Sequence, residues 1–418
     1  VTTNWAGNLT YRAARIVEPI DEAELSAILD RARGDGTTVR VLGSRHSFND
    51  VADTDGVIIS LAGLATADRV SVAPDRQTVR IPAGIRYGDL VPVLEREGLA
   101  LANLASLPHI SVAGAVQTGT HGSGDRVGAL GTQVAGVELL TAAGERMTLT
   151  RGEDGFDGVV VGLGALGIVT HLTLDALPHF TVAQTVFEGV RWDDALSRFD
   201  ELTGAGDSVS LFTRWTDADV IDQVWVKSRT TSDPDDLSTF GARAADGPRH
   251  PIPGIDPTPC TAQEGVPGPW YDRLPHFRLA FTPSAGEELQ SEYLVARADA
   301  VAAIQAVRGL ADRIAPLLLT CEVRTMAADD LWLSPAYGRP TVGIHFTWQR
   351  DEAAVRALLP TLEAALPASA RPHWGKVFTM PGDEIRRRYP RFDDFSALRA
   401  RLDPDRRFVG DYLARLGL

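Results

Sequence analysis

Apolar residues recur along the first third of the chain in two rhythms. Leu25, Ile28, Leu29 and Ala32 share one helical face. Asp21-Glu22-Ala23-Glu24 before them predicts an N-cap with an acid three residues on, and Gly34 ends the helix. Runs at 38–42, 56–61 and 78–81 predict strands, and 87–96 predicts a helix. Short connections between them make an α/β pattern, helices packed on a sheet. From about 180 strands dominate, at 180–186, 209–214, 223–228, 290–295, 318–326 and 341–349, with helices over 298–313 and 351–366. The stretch 230–270 holds eight of the 25 prolines and few apolar runs, and reads as a long surface excursion. The expected class is α+β in two domains. An α/β domain covers 1–178, a β-rich domain covers 179–372, and 373–418 returns to the first.

Composition narrows the partners. The 418 residues carry 41 Lys+Arg against 55 Asp+Glu, a formal net charge of −14. That balance argues against nucleic acid and against an anionic membrane surface. No stretch is long and apolar enough to span a bilayer and no targeting segment is visible, so the expected setting is cytoplasmic. The two cysteines, Cys260 and Cys321, cannot build a disulfide framework. Nine histidines show no HxxxH or HExxH spacing, so no metal is expected. Only Lys227 and Lys376 are lysines, which singles each out.

Three glycine-rich segments need separate readings. Gly162-Leu163-Gly164-Ala165-Leu166-Gly167 matches GxGxxG, but that dinucleotide fingerprint needs a helix directly after it. Ile168 to Leu174 alternates and is β-branched, which predicts a strand, so close packing or close approach to a ligand explains the glycines better. The loop Gly43-Ser44-Arg45-His46-Ser47 follows a strand and is rich in N–H and hydroxyl donors. The segment from Gly114 to Gly124 packs glycines and hydroxyls together. Either loop alone reads as a turn; both in one α/β domain point to a phosphate-bearing cofactor.

Apolar strands in the second domain carry polar residues on one face. Glu322 and Arg324 lie two apart, as do His345 and Thr347. Such faces meet a ligand, each other or solvent.

Together these segments resemble the vanillyl-alcohol oxidase class of flavoproteins. Val41 to Ser47 resembles its first flavin loop, Gly114 to Gly124 its second, and Gly164 to Val169 its closing strand. Pro372-His373-Trp374-Gly375-Lys376 and the tail, with Asp411 where the family often has Asn, resemble the sugar-oxidising branch, most closely its bacterial alditol oxidases. The resemblance implies a two-domain flavoprotein, an α/β FAD-binding domain plus a β-rich cap. It implies FAD attached covalently through His46, which by spacing alone reads as a loop histidine that only hydrogen-bonds. Contacts to the cofactor would come from Val41, Leu42, Gly43, Ser44, Arg45, His46, Ser47, Ser106, Ser111, Gly114, Thr118, Gly119, Thr120, His121, Val169 and His373. A small polyol would be held by Ser106, Gln290, Glu322, Arg324, His345, Thr347 and Lys376. Lys376, by position alone a surface lysine in a turn, would act beside the reacting carbon with Arg324. The implied reaction oxidises a terminal hydroxyl of xylitol or sorbitol to the aldose, with O2 reduced to hydrogen peroxide, by a monomer. Oxidation of an aldonolactone, or flavin or carbohydrate binding without turnover, are the competing readings.

Overall fold

The computed structural model describes residues 2–230, 236–280 and 288–418. Near the N-terminus, Arg15–Val17, Val57–Ser60 and Val39–Leu42 form a parallel sheet in that order. The helix Glu22–Gly34 packs Leu25, Ile28 and Leu29 into the same core as Val39, Val57 and Ile59. Its N-cap works as the sequence implies: Asp21 Oδ1 accepts from Glu24 N at 2.8 Å. The left-handed residue beyond it is Gly36, at φ +69°, and Gly34 is still helical. A second, antiparallel sheet runs Ser71–Val72, Thr78–Pro82, Ile168–Asp175, Val134–Leu140 and Arg146–Thr150.

The GxGxxG segment is a turn into the strand Ile168–Asp175, with Leu163 at φ +53° and Gly164 at +65°. A fully buried arginine holds it. Arg40 donates to the carbonyls of Val51, Leu163, Gly164 and Phe408, which joins the first sheet, this turn and the C-terminal tail. Gln117 completes the turn by accepting from Gly164 N at 3.1 Å. Buried backbone groups must find partners: Arg40 supplies donors to the carbonyls, and Gln117 an acceptor to the Gly164 N–H.

The second domain is built on a nine-stranded sheet. Its path is Arg243–Ala244, Thr181–Glu188, Gln223–Arg229, Ser208–Thr213, Leu318–Met326, Thr341–Gln349, Glu288–Ala296 and Arg371–Pro372, with Gly268–Pro269 also on Thr181–Glu188. Cross-strand partners share a face. One face carries Val209, Leu211, Val224, Val323, Ile344, Phe346 and Tyr293, covered by Ala303, Ile304 and Val307 of one helix and Val355, Leu359 and Leu362 of another. The other face is polar, with Glu322 opposite His345 and His345 opposite Glu292.

Two expectations change here. The helix over 298–313 is broken into Ala300–Arg308 and Ala311–Ile314, the interruption falling at Gly309 and Leu310. The proline-rich stretch is not merely a surface excursion. Its residues 231–235 lie outside the described residues, but His250, Pro251, Ile252, Ile255 and Pro259 wall a cavity. Gln223 and Thr320 fasten that segment to the sheet by donating to the carbonyls of His250 and Pro251. Among the described residues, no helix is long and apolar enough to cross a membrane, and no cluster of His, Cys, Asp or Glu could hold a metal.

Candidate active site

A cavity of about 530 Å³ lies between the first domain's loops and the polar face of the large sheet. On the loop side, residues 43–47 lie against the start of the helix Val112–Gln117. Ser44 N donates to Ser111 Oγ at 3.3 Å, and Ser111 N donates to Ser44 Oγ at 3.0 Å. Glycine is required for this approach: a Cβ on Gly43 or Gly114 would come within 2.4 or 2.6 Å of Ser111 Oγ. Trp5 stacks on His46 with centroids 5.2 Å apart, and His46 Nδ1 is buried without a hydrogen-bond partner. Burial pushes the His46 imidazole down to about 4, so it is neutral near pH 7. A trough of small residues, backbone N–H groups and hydroxyls, with one unsatisfied neutral imidazole, fits a flavin dinucleotide.

Val41, Leu42, Gly43, Ser44, Arg45, His46, Ser47, Ser106, Ser111, Gly114, Thr118, Thr120, His121, Val169 and His373 all line this cavity. Gly119 does not. Its φ is +67°, and a Cβ there would meet Pro335 and Trp374, so it makes a turn behind the wall.

The opposite wall concentrates charge. Glu292 is 1 % exposed, and its Oε1 accepts from Arg324 Nη2 at 2.8 Å and lies 3.0 Å from His121 Nε2. Its Oε2 accepts from Lys376 Nζ at 2.6 Å. Burial alone would raise this carboxyl, but Lys376, His121 and Arg324 outweigh it and hold it well below 4.5. Lys376 Nζ also donates to His345 Nδ1 at 2.6 Å, which leaves Nε2 to donate to Thr347 Oγ1 at 3.1 Å. Burial, then the Lys376 charge, pushes His345 down to about 4. Burial likewise lowers Lys376, against the attraction of Glu292. Neither the surface-lysine reading of Lys376 nor the solvent-face reading of these strands survives: Glu292, Glu322, Arg324, His345 and Thr347 are buried, and the Lys376 side chain is only 13 % exposed.

Glu322 Oε1 lies 2.8 Å from His276 Nε2, and its Oε2 lies 3.5 Å from Arg324 Nε. Burial pushes the Glu322 carboxyl up, yet Arg324 and His276 prevail and hold it far below 4.5. Ser106 Oγ is 3.5 Å from Arg324 Nη1, and Gln290 and Thr347 line the same wall. The structure thus gathers Ser106, Gln290, Glu322, Arg324, His345, Thr347 and Lys376 at one cavity. Sequence reasoning missed Glu292 and His276. Glu292 stands two residues after Gln290 on the same strand, so the alternation that singled out Glu322 with Arg324 and His345 with Thr347 applies to it. His276 lies in a loop, where no periodicity exists to mark it.

Comparison with known proteins adds the family. Residues 13–150 match a family described as FAD binding domain, and 286–416 match D-arabinono-1,4-lactone oxidase. The chain is 48 % identical to the alditol oxidase of a Streptomyces species (strain IKD472), across 99 % of this chain and 98 % of that protein. It is 31 % identical to the L-gulono-1,4-lactone dehydrogenase of Mycobacterium tuberculosis, across 100 % and 99 %. Among solved structures, cholesterol oxidase from B. sterolicum shares the fold at a TM-score of 0.77 and 15 % identity, covering 99 % of this chain and 96 % of that one. Glucooligosaccharide oxidase from Acremonium strictum, a structure described as carrying a 6-S-cysteinyl, 8α-N1-histidyl FAD, does so at 0.74 and 15 %, covering 100 % and 94 %. With its glycine-lined trough facing a β-rich substrate domain, the chain belongs to the FAD-dependent oxidoreductases of the vanillyl-alcohol oxidase class that act on CH–OH groups, in the branch of the alditol and aldonolactone oxidases.

Proposed function

We propose that this chain oxidises the terminal hydroxyl of a linear alditol, such as xylitol or sorbitol, to the aldose: R–CH2OH + O2 gives R–CHO + H2O2. One observation carries the reading. Lys376 and Arg324 converge on the carboxylate of Glu292 in a cavity walled on its other side by the glycine loops. FAD held against the loops at 43–47 and 111–120 would supply a two-electron acceptor for the substrate's hydride, with O2 as the final oxidant. Arg324 and Lys376 present N–H donors to the substrate oxygen and stabilise negative charge on it as its proton leaves. Ser106, Gln290, Glu322, His345 and Thr347 hold the remaining hydroxyls. A wall so dense in paired polar groups disfavours substrates lacking them, which would strand buried donors and acceptors. Residues 1–178 and 373–418 form the flavin unit in this reading, and 179–372 the cap.

His46 is the proposed point of covalent attachment, through the 8α-methyl carbon of FAD. A C–N bond replaces one N–H and one C–H, and O2 takes the two hydrogens as hydrogen peroxide. The neutral imidazole, with its Nδ1 unpartnered, is a competent nucleophile for it. Flavin should stay with acid-precipitated protein and be released from His46→Ala; flavin retained covalently by that variant refutes the link. Anaerobic addition of xylitol should bleach the flavin absorbance. Bleaching by gulonolactone alone assigns the chain to lactone oxidation, and no bleaching by either refutes both.

A further inference from the structure

The second lysine is also buried. Lys227 is 1 % exposed, in the strand Gln223–Arg229, and does not line the cavity. Its Nζ donates to Leu274 O at 2.6 Å and Pro275 O at 3.1 Å, and lies 3.2 Å from His276 Nδ1. Burial lowers Lys227 to about 7; in its ammonium form the group only donates, so His276 Nδ1 accepts. The ring proton then sits on Nε2, aimed at Glu322 Oε1 2.8 Å away. Phe212 and Trp225 pack edge-on against the ring, with centroids 5.4 and 5.3 Å distant, and hold its plane. Burial, then Lys227, holds His276 down to about 4, so the ring is neutral and its tautomer matters.

The same arrangement stands at the other end of the wall, where Lys376 Nζ donates to His345 Nδ1 and His345 Nε2 faces Thr347. We infer that Lys227 is a positioning residue for polyol binding: it fixes the Nε2–H tautomer of His276, which pins one oxygen of Glu322 and leaves the carboxylate set to accept substrate hydroxyls. Without that donor, Glu322 is free to turn toward Arg324, whose Nε is 3.5 Å from its other oxygen. The effect falls on substrate grip, because Lys227 reaches neither Lys376 nor Glu292.

This inference rests on the polyol reading, and its test separates the two. Lys227→Met should raise the KM for xylitol on the order of tenfold while kcat falls less than about threefold. His276→Gln keeps an amide donor toward Glu322 without needing a lysine. In that background, adding Lys227→Met should change KM by less than about twofold. An unchanged KM in the single variant, or the same increment in both backgrounds, overturns the inference. Should Lys227→Met not fold, the 15N shifts of His276 in the wild-type holoenzyme decide: a protonated Nδ1 overturns it, and a bare Nδ1 with a protonated Nε2 supports it. Wild-type enzyme inert toward all polyols would overturn the substrate reading and the role in polyol binding with it, whereas a protonated Nδ1 in an enzyme active on xylitol overturns the inference alone.

Discussion

The nine-stranded sheet has two faces made from the same strands and buried to the same degree. One is Val209, Leu211, Val323, Ile344 and Phe346 under two helices; the other is Glu292, Glu322, Arg324, His345 and Lys227. Burying apolar area stabilises by roughly 25 cal/mol per Å². Burying charges stabilises little, because desolvation cancels most of the attraction between partners. The polar face therefore adds little to folding that an apolar one could not. In the proposed function its arrangement answers to substrate, and substitutions on the two faces should fail in different ways.

The largest expected effect is on the polar face. Lys376→Met should lower kcat/KM for xylitol by about a thousandfold, near 4 kcal/mol of transition-state stabilisation. Flavin content should stay near wild type, and turnover within tenfold of wild type breaks the contrast. The mirror experiment is Phe346→Ala, expected to cost about 3–5 kcal/mol of stability by denaturant unfolding while kcat/KM of the folded enzyme stays within a few fold. Loss of activity without loss of stability there would mean the faces are not separable.

Acid should sharpen the contrast further. Glu292 and Glu322 are both held below the ordinary 4.5, so their stabilising contribution is complete above that value and drains away as pH falls through it toward the folded values. The Tm of wild type should drop more steeply between about pH 5 and 3 than that of Glu322→Gln. Parallel profiles would mean Glu322 titrates alike in folded and unfolded chains. The smallest effect is Thr347→Val, which removes one partner of His345 and should raise KM about five- to tenfold, roughly 1 kcal/mol, at nearly constant Tm.

This contrast also explains what could be read without coordinates. Period-two alternation marks Glu322, Arg324, His345 and Thr347, because a strand turns spacing directly into facing. Glu292 escaped that reading because Glu287-Glu288-Leu289-Gln290-Ser291-Glu292 has the polarity of a solvated edge, and burial by neighbouring strands leaves no local trace. Composition cannot tell a proline-rich loop on the surface from one folded over a cavity, so His250 and Ile252 were invisible as wall residues. The flavin loops were legible because close backbone approach demands glycine at Gly43 and Gly114. At Gly119 the same residue type answers to Pro335 and Trp374 instead.

Arg40 carries a consequence for how the protein is made. Its guanidinium reaches Phe408 O, 368 residues away in sequence, while also holding the turn at Leu163 and Gly164. Asn49 similarly donates to the carbonyls of Trp374 and Lys376. During vectorial synthesis these partners reach the first loops only after the whole cap has left the ribosome. The trough is therefore complete only once residues 374–376 and 408 are in place against the first loops.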